Sequence, residues 1–583
     1  FDALPRVEFA SRWVTAALKD RAYVVRDREA RPLELDDDPA YDLVHLVTRY
    51  PDRYAGFHVR STSRRRQVAF LPARGEAAPI PVADPLVGSV RSPYLVSLLE
   101  QRPREEKLRE ERRATERSDS YRELVLDHLS LNWQASESMG GRGLEGAYDQ
   151  ELSGRSGYRE SSGLQDRQAG RAPIFVEAVD GEDITTTLDL DLQRAAQATI
   201  DFPAPPPAAE AKPDRVWHQR PVGAIVLITV EGEVLAAASG PSAARAEWEL
   251  GLYQDDQGLH SGDRTLRQHT FQPPGSILKP FVAAWALDRG LDAKNFSATC
   301  APREQGALGS HREGATVHCH GIHWENVHLR RALLKSCNSF FAKVGEELYD
   351  GPGFREMARS FGFDRSVFGD QGRPAGRRLK EDWHSPGFFR DEDEARVQIP
   401  TQRMLQRLGN GLTHLSVTPL QVARAYSALA TGRLPELRLV RRIGEREQLA
   451  VSSPLPISAE SLEIVRAALR RVAIEGTAAD RGLDAETLGF SFACKTGSAD
   501  YITEGVKVPE APQAPISDAL DAWKPGERKH GWVAGWFPAE DPVAVAVVYV
   551  HDTSTTSSHV ATHVMSQFLR ADAVVHWLRE QGR

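Results

Sequence analysis

A serine and a lysine stand three residues apart in the run Pro273-Pro274-Gly275-Ser276-Ile277-Leu278-Lys279-Pro280. A serine hydroxyl becomes a nucleophile when a base removes its proton, and an uncharged amine is such a base. An ordinary lysine is protonated at neutral pH, so Lys279 needs partial burial and a neighbouring cation to lower its pKa. Lys495, in Lys495-Thr496-Gly497-Ser498, is the candidate cation. Between them in the chain comes Ser336-Cys337-Asn338. The Ser336 hydroxyl can relay a proton, and the Asn338 amide can hydrogen-bond both a lysine and a peptide carbonyl. Lys495 and Thr496 can hold a terminal carboxylate, Gly497 lets a substrate approach the backbone closely, and the N–H groups of Ser276 and Ser498 can face an oxyanion. The set amounts to a serine nucleophile, its amine base, a proton relay and an anion site.

Each motif alone is weak. Ser-x-x-Lys is expected about once by chance in a chain of this composition, and a capping serine beside a solvated lysine is its bland reading. A helix-capping serine with a turn asparagine is the bland reading of Ser336 and Asn338. Order and context carry the functional reading.

The elements that must position these residues are legible. Pro273 and Pro274 stop any helix arriving from upstream, and Pro280, which lacks an N–H, fits only within a first turn. A helix over 277–288 therefore begins close to Ser276, with its positive dipole end at the hydroxyl and Gly290 at its end. Leu278, Phe281, Val282 and Trp285 are expected to cluster on one of its sides. Ser336 and Asn338 fall between two helical patterns. Lys495-Thr496-Gly497 is expected to close a strand that begins near Gly489, offering its edge to an extended peptide.

Strands are further predicted over 222–229 and 233–238, joined by a tight turn at Gly232, and over 531–537 and 543–551. The run Val543–Val550 is continuously apolar, as for a strand covered on both faces. A helix is predicted over 190–200, with Leu192, Ala195, Ala196 and Thr199 on one face, and another over 559–579. The fold class is α+β: an antiparallel five-stranded sheet flanked by helices, with an inserted helical lobe from about 275 to 480. The domain reading is 1–184 as an N-terminal platform and 185–583 as the catalytic domain.

Composition excludes several alternatives. The chain has 583 residues, enough for more than one domain, with 41% hydrophobic and 26% charged residues and a formal net charge of −8. That balance disfavours nucleic acid as a partner. The Arg102–Arg117 run interleaves glutamates and reads as a solvated helix. No apolar run is long enough to cross a bilayer. The chain begins at Phe1, so an anchor or signal upstream is expected to be missing. There is no P-loop, no His-Glu-x-x-His and no Gly-x-Ser-x-Gly.

The three motifs in this order resemble the transpeptidase domain of penicillin-binding proteins. The likeness extends over about 184–583. It includes Thr187-Leu-Asp189 with Leu192-Gln193, the hairpin from Gly223 to Ser239, Leu408-Gly-Asn-Gly411 and Ser416-Val-Thr-Pro-Leu-Gln421. Asn410 departs from the Gln or His that the family often carries. Val25-Arg-Asp-Arg28, Arg31-Pro-Leu33 and Gly143-Leu-Glu145 with Tyr148, Leu152 and Gly154 resemble the pedestal of class B, monofunctional members. The resemblance implies a peptidoglycan D,D-transpeptidase of the cell wall, serving cell shape or division. It would form a serine acyl-enzyme on D-Ala-D-Ala stem-peptide termini and be acylated by β-lactams. The implied catalytic residues are Ser276, Lys279, Ser336, Asn338 and Lys495, and the implied substrate-binding residues are Lys495, Thr496, Gly497 and Ser498. A membrane glycan polymerase of the SEDS family is the implied partner, and the periplasmic side of the cytoplasmic membrane the implied location. Alternatives using the same acyl-enzyme are a serine β-lactamase or D,D-carboxypeptidase, or a penicillin-binding sensor without turnover.

No cofactor and no catalytic metal are expected. Cys300, His311, His318, Cys319, His320 and His323 supply zinc-type ligands near the second motif, in a spacing that is no standard zinc module. A structural zinc stands beside a Cys300–Cys319 disulfide or unbound side chains as readings of that cluster.

Overall fold

In the computed structural model the described residues are 143–154, 158–159, 175–201, 203–204, 222–240, 273–300, 319, 323–365, 367–368, 401–412, 415–500, 529–553 and 557–582, with short strands at 70–71, 80–81, 90–91 and 139–140. Chain contacts separate residues 1–66 from residues 67–583, and all described residues lie in the second unit. Of the predicted platform, Gly143-Leu-Glu145 opens helix α1 (Gly143–Ala147), followed by α2 (Asp149–Ser153). The segments at 25–33 and 102–117 lie outside the described residues.

The next elements are β1 (Ile184–Thr186), α3 (Leu190–Asp201), β2 (Val222–Thr229) and β3 (Val234–Gly240). The late strands are β7 (Ala493–Asp500), β8 (Lys529–Phe537) and β9 (Ala544–Thr553). These form the predicted five-stranded antiparallel sheet in the order β7-β8-β9-β2-β3. The central strand β9 is sequestered from Ala544 through Val550, all fully buried, which is why that segment is apolar without alternation. Gly232 turns the β2–β3 hairpin at φ 99°, as its position requires.

Two sequence expectations shift. The buried face of α3 carries Leu192, Gln193, Ala196, Gln197, Ile200 and Asp201, while Ala195 and Thr199 are only half-buried. Glutamines go inward because the outer edge of β3 needs partners. Gln193 donates to Ala237 O (3.3 Å) and accepts from Ala237 N (2.7 Å), and Gln197 donates to Ser239 O (2.9 Å). Asp189 N donates to Leu235 O, so this sheet edge is satisfied by α3 and its lead-in. At the C-terminus the single predicted helix is two, α10 (Ser557–Leu569) and α11 (Asp572–Glu580). Ala571 breaks them by taking an extended conformation as the N-cap of α11.

The helical lobe contains α4 (Lys279–Asp288), β4 (Ser297–Cys300), β5 (Trp324–His328), α5 (Leu329–Leu334), α6 (Asn338–Leu348), α7 (Gln402–Gly409), α8 (Pro419–Thr431), β6 (Val440–Ile443) and the short α9 (Val472–Glu475). β1 pairs antiparallel with β6. Helix α4 is not one-sided as expected. Every residue from Lys279 to Ala286 is buried, so it is enclosed all round, and Ala283, Ala284 and Ala286 let neighbours approach closely. Thr418 and Gln421 form a capping box that starts α8, with Pro419 at its first turn.

Candidate active site

The first motif opens with a turn of 3₁₀ helix, Gly275–Leu278, that runs directly into α4. Lys279 N–H donates to Ser276 O. In 3₁₀ geometry residues i and i+3 eclipse, so the Ser276 and Lys279 side chains rise from one face. The turn is held through backbone atoms. Gly275 (φ 57°) donates its N–H to Gly411 O at 2.8 Å, and a Cβ there would stand 2.4 Å from Ser498 O. A Cβ on Gly497 would stand 2.9 Å from Ile277 Cγ2, and one on Gly411 2.3 Å from Gly275 O. Three glycines thus bring the first motif, the third motif and the α7–α8 loop into contact. Tyr426 of α8 fixes the turn from behind, donating to Ile277 O at 2.9 Å.

Ser336 ends α5. Ser336 N–H reaches Leu333 O and Cys337 N–H reaches Ala332 O, which is a Schellman pattern with Ser336 at the left-handed position, φ 55°. Glycine is the usual occupant there. A serine costs on the order of 1 kcal/mol more, and the conformation turns both Ser336 O and Ser336 Oγ toward Lys279, at 2.9 and 3.3 Å. Asn338, the first residue of α6, turns its Oδ1 to the same amine at 2.5 Å.

Lys495 is the third residue of β7, which runs on to Asp500. The third motif therefore sits inside the strand and does not close it. β7 is the sheet edge, with Lys495 opposite Ala534 and Gly497 opposite Trp532 of β8. Lys495 Nζ donates to Ser336 Oγ (2.9 Å) and Thr496 O (2.7 Å). One hydroxyl thus lies between the two amines. Both lysine side chains are fully buried. Burial lowers Lys279 to about 8, opposed by the nearby thiols of Cys319 and Cys337. Burial, and then the charge of Lys279, holds Lys495 well below the ordinary lysine range. Desolvation is thus what lowers Lys279, and the neighbouring cation expected from sequence is not among the causes of its shift.

The amine donates to Ser336 O, Ser336 Oγ and Asn338 Oδ1, three acceptors that match the three N–H groups of its charged form. The neutral form keeps two donors and has one lone pair, which can take a hydroxyl proton in place of the third contact. Even at pH 7, a pKa of about 8 leaves roughly a tenth of the amine uncharged.

Two contributors were not read from sequence. Thr477, just after α9, has its Oγ1 2.5 Å from Thr496 Oγ1, and its N–H donates to Leu334 O. It ties the end of α5 to the third motif. The signal was only a Gly-Thr pair at a helix end. Asn410, noted only as a departure, donates to Asn338 O (3.2 Å) and Gln406 O (2.9 Å) and is buried. It steadies the start of α6.

Cys337, between Ser336 and Asn338, is buried and turned into a group with Cys300, Cys319 and His323. All four cysteines are free thiols, so the structure has no Cys300–Cys319 disulfide. His311, His318 and His320 lie outside the described residues. Cys494 faces full burial, which pushes its thiol up to about 12 and leaves it inert.

Residues 222–570 match the family described as penicillin binding protein transpeptidase domain. Among curated proteins, the chain is 25% identical over 326 residues to the peptidoglycan D,D-transpeptidase MrdA of Salmonella typhimurium, covering 52% of this chain and 45% of that protein. It is 25% identical over 355 residues to the peptidoglycan D,D-transpeptidase PbpA of Mycobacterium tuberculosis, covering 56% and 61%. The chain thus spans about half the length of the curated relatives it matches. Among solved structures, the fold resembles PBP2 of Helicobacter pylori in its complex with MreC, with TM-score 0.64, 17% identity and coverage of 100% and 92%. It also resembles Pseudomonas aeruginosa PBP2 in complex with WCK 5153, with TM-score 0.51, 22% identity and coverage of 75% and 84%.

Proposed function

The chain belongs to the penicillin-binding protein transpeptidase family, and we propose that it is a class B peptidoglycan D,D-transpeptidase working through an acyl-enzyme on Ser276. The observation that carries this reading is the single hydroxyl, Ser336 Oγ, within hydrogen-bond reach of two buried amines, Lys279 and Lys495.

Lys279 takes the Ser276 proton as the hydroxyl oxygen attacks the carbonyl of the penultimate D-Ala. The oxyanion faces the N–H groups of Ser276 and Ser498, and Asn338 Nδ2 donates to the peptide carbonyl upstream. The proton passes from Lys279 through Ser336 Oγ to the departing D-Ala nitrogen. A stem-peptide amine then attacks the ester, and the same groups run in reverse. Lys495 points its amine inward to Ser336 Oγ and Thr496 O. The terminal carboxylate therefore meets the hydroxyls of Thr496 and Ser498, with the Lys495 charge behind them. A β-lactam follows the first half of this path, its ring nitrogen staying tethered.

The edge of β7 supports an extended substrate, since an incoming peptide can add there as a further strand. The finer expectations belong to this reading too: a SEDS-family glycan polymerase and a scaffold of the MreC kind as partners, and anchorage at the outer face of the cytoplasmic membrane. Among the described residues no helix is long and apolar enough to cross a membrane.

Intact-protein mass spectrometry after penicillin treatment, with the modified peptide located, tests the reading. One adduct on Ser276, lost in Ser276→Ala with the fold intact, is expected. Labelling retained by Ser276→Ala would remove the nucleophile assignment. Rapid drug hydrolysis would favour a β-lactamase, and acylation without cross-linked product from stem peptides would favour a sensor.

A further inference from the structure

The second motif has an unexpected neighbour. Cys300 is the last residue of β4, His323 directly precedes its antiparallel partner β5, and His323 N–H donates to Cys300 O at 3.2 Å. Cys319 lies beside them in the connection, and Cys337 is the N-cap of α6. The ligand atoms of these four residues lie within 4.8 Å of one another. Cys300 Sγ is 3.5 Å from His323 Nδ1, and Cys319 Sγ is 3.9 Å from Cys337 Sγ. A tetrahedral zinc with ordinary bond lengths has sulfur–sulfur edges of roughly 3.8 Å and sulfur–nitrogen edges of roughly 3.5 Å. A disulfide would need about 2.05 Å. The spacing is therefore that of a coordination shell.

We infer that Cys300, Cys319, His323 and Cys337 form a structural zinc site that clamps the catalytic Ser336-Cys337-Asn338 turn to the β4–β5 hairpin. Three thiolates and one imidazole are a soft, closed donor set, which selects zinc over magnesium, calcium or manganese. Cys300 and Cys337 are buried, whereas Cys319 and His323 are half-buried and give the ion a way in. Asn338 N–H donates to Cys319 Sγ at 3.0 Å, and Ser339 Oγ lies 3.8 Å from the same sulfur. Both are the outer contacts that orient a metal-bound thiolate. A dication satisfies all four donors at once.

None of the four ligands is one of the side chains assigned to the chemistry. The role of the ion is positional: the residue it grips lies between the proton relay Ser336 and the amide Asn338, in a backbone held at positive φ. Metal binding stands apart from the transpeptidase reading, whereas the effect on acylation rests on it.

The test is elemental analysis of the full chain, purified without a polyhistidine tag and dialysed. One zinc per chain is expected, falling to a trace in Cys300→Ser and in His323→Ala, both of which leave the motif's own residues unchanged. Cobalt exchanged into the wild type should give the intense visible bands of a tetrahedral thiolate site. A strong chelator should expose three further thiols to a maleimide and slow penicillin acylation about tenfold, with zinc restoring the wild type but not His323→Ala. Zinc found equally in both variants, maleimide labelling unaffected by chelator, or a Cys319–Cys337 disulfide in the native chain would each overturn the site. Stoichiometric zinc in a protein never acylated at Ser276 would instead sink the transpeptidase reading and leave the site standing.

Discussion

Lys279 Nζ and Asn338 Oδ1 stand 2.5 Å apart, although 59 residues separate them in the chain. That contact orients the Asn338 amide and engages one of the protons of the amine, so it links the proposed base to the proposed substrate-binding side of the turn.

The pH profile of acylation follows from it. Lys279 is lowered to about 8 by burial, so the reactive, uncharged form grows as pH rises through that value. The second-order rate of penicillin acylation should therefore climb with a midpoint near 8. Asn338→Asp puts a carboxylate on the amine, which stabilises its charged form and should move the midpoint upward. Stopped-flow acylation against pH checks both, and a limb that stays put in Asn338→Asp would contradict the assignment of Lys279 as the titrating base.

Ser336 offers a way to separate chemistry from folding. Its φ of 55° suits glycine, so Ser336→Gly should keep or raise the melting temperature, by up to about 1 kcal/mol in stability. The same change removes the hydroxyl between the amines and should slow acylation by roughly 10²–10⁴. Ser336→Ala should match that rate loss without the gain in stability. Thermal denaturation alongside acylation kinetics reads both.

Gly275 allows no side chain. At φ 57° with Ser498 O only 2.4 Å from a would-be Cβ, Gly275→Ala should destabilise by about 1–3 kcal/mol. It should also part the nucleophile turn from β7, cutting acylation more than tenfold. Urea unfolding and penicillin labelling of the folded fraction measure the two effects.

Thr477 and Thr496 share one contact and two protons. Whichever hydroxyl donates to the other, one proton is left for an incoming anion. Thr477→Val should weaken acylation by penicillin about five- to tenfold, on the order of 1–1.5 kcal/mol for a hydrogen bond, while sparing a penicillin whose carboxylate is esterified. Thr477→Ser should behave as wild type. Equal losses on both drugs would make Thr477 merely structural.

Much of this was legible in the chain. The late strands were readable because β-branched runs such as Val543–Val550 are sandwiched between other strands and helices, and burial leaves a strong trace in composition. Ser276, Lys279 and Lys495 could be found because proline and glycine fix where their elements begin and touch. The inward glutamines of α3 could not, because polar residues at helical spacing look solvated until a sheet edge claims them. Thr477 and the Ser336 backbone were hidden for a related reason. A hydroxyl contact and a positive φ are properties of tertiary neighbours, and Leu334 and Lys335 ahead of Ser336 read simply as helix. The convergence of Cys300, Cys319, His323 and Cys337 depends on a hairpin whose strands are too short to leave a periodic signal.

The two margins of the central sheet are treated differently, with side-chain amides of α3 occupying the one at β3. A chain with both margins bare could string copies together without limit, each sheet continuing the last. Among the described residues β7 pairs with β8 alone, so of the two margins it is the one left to accept a further strand, and a strand added there would end the row.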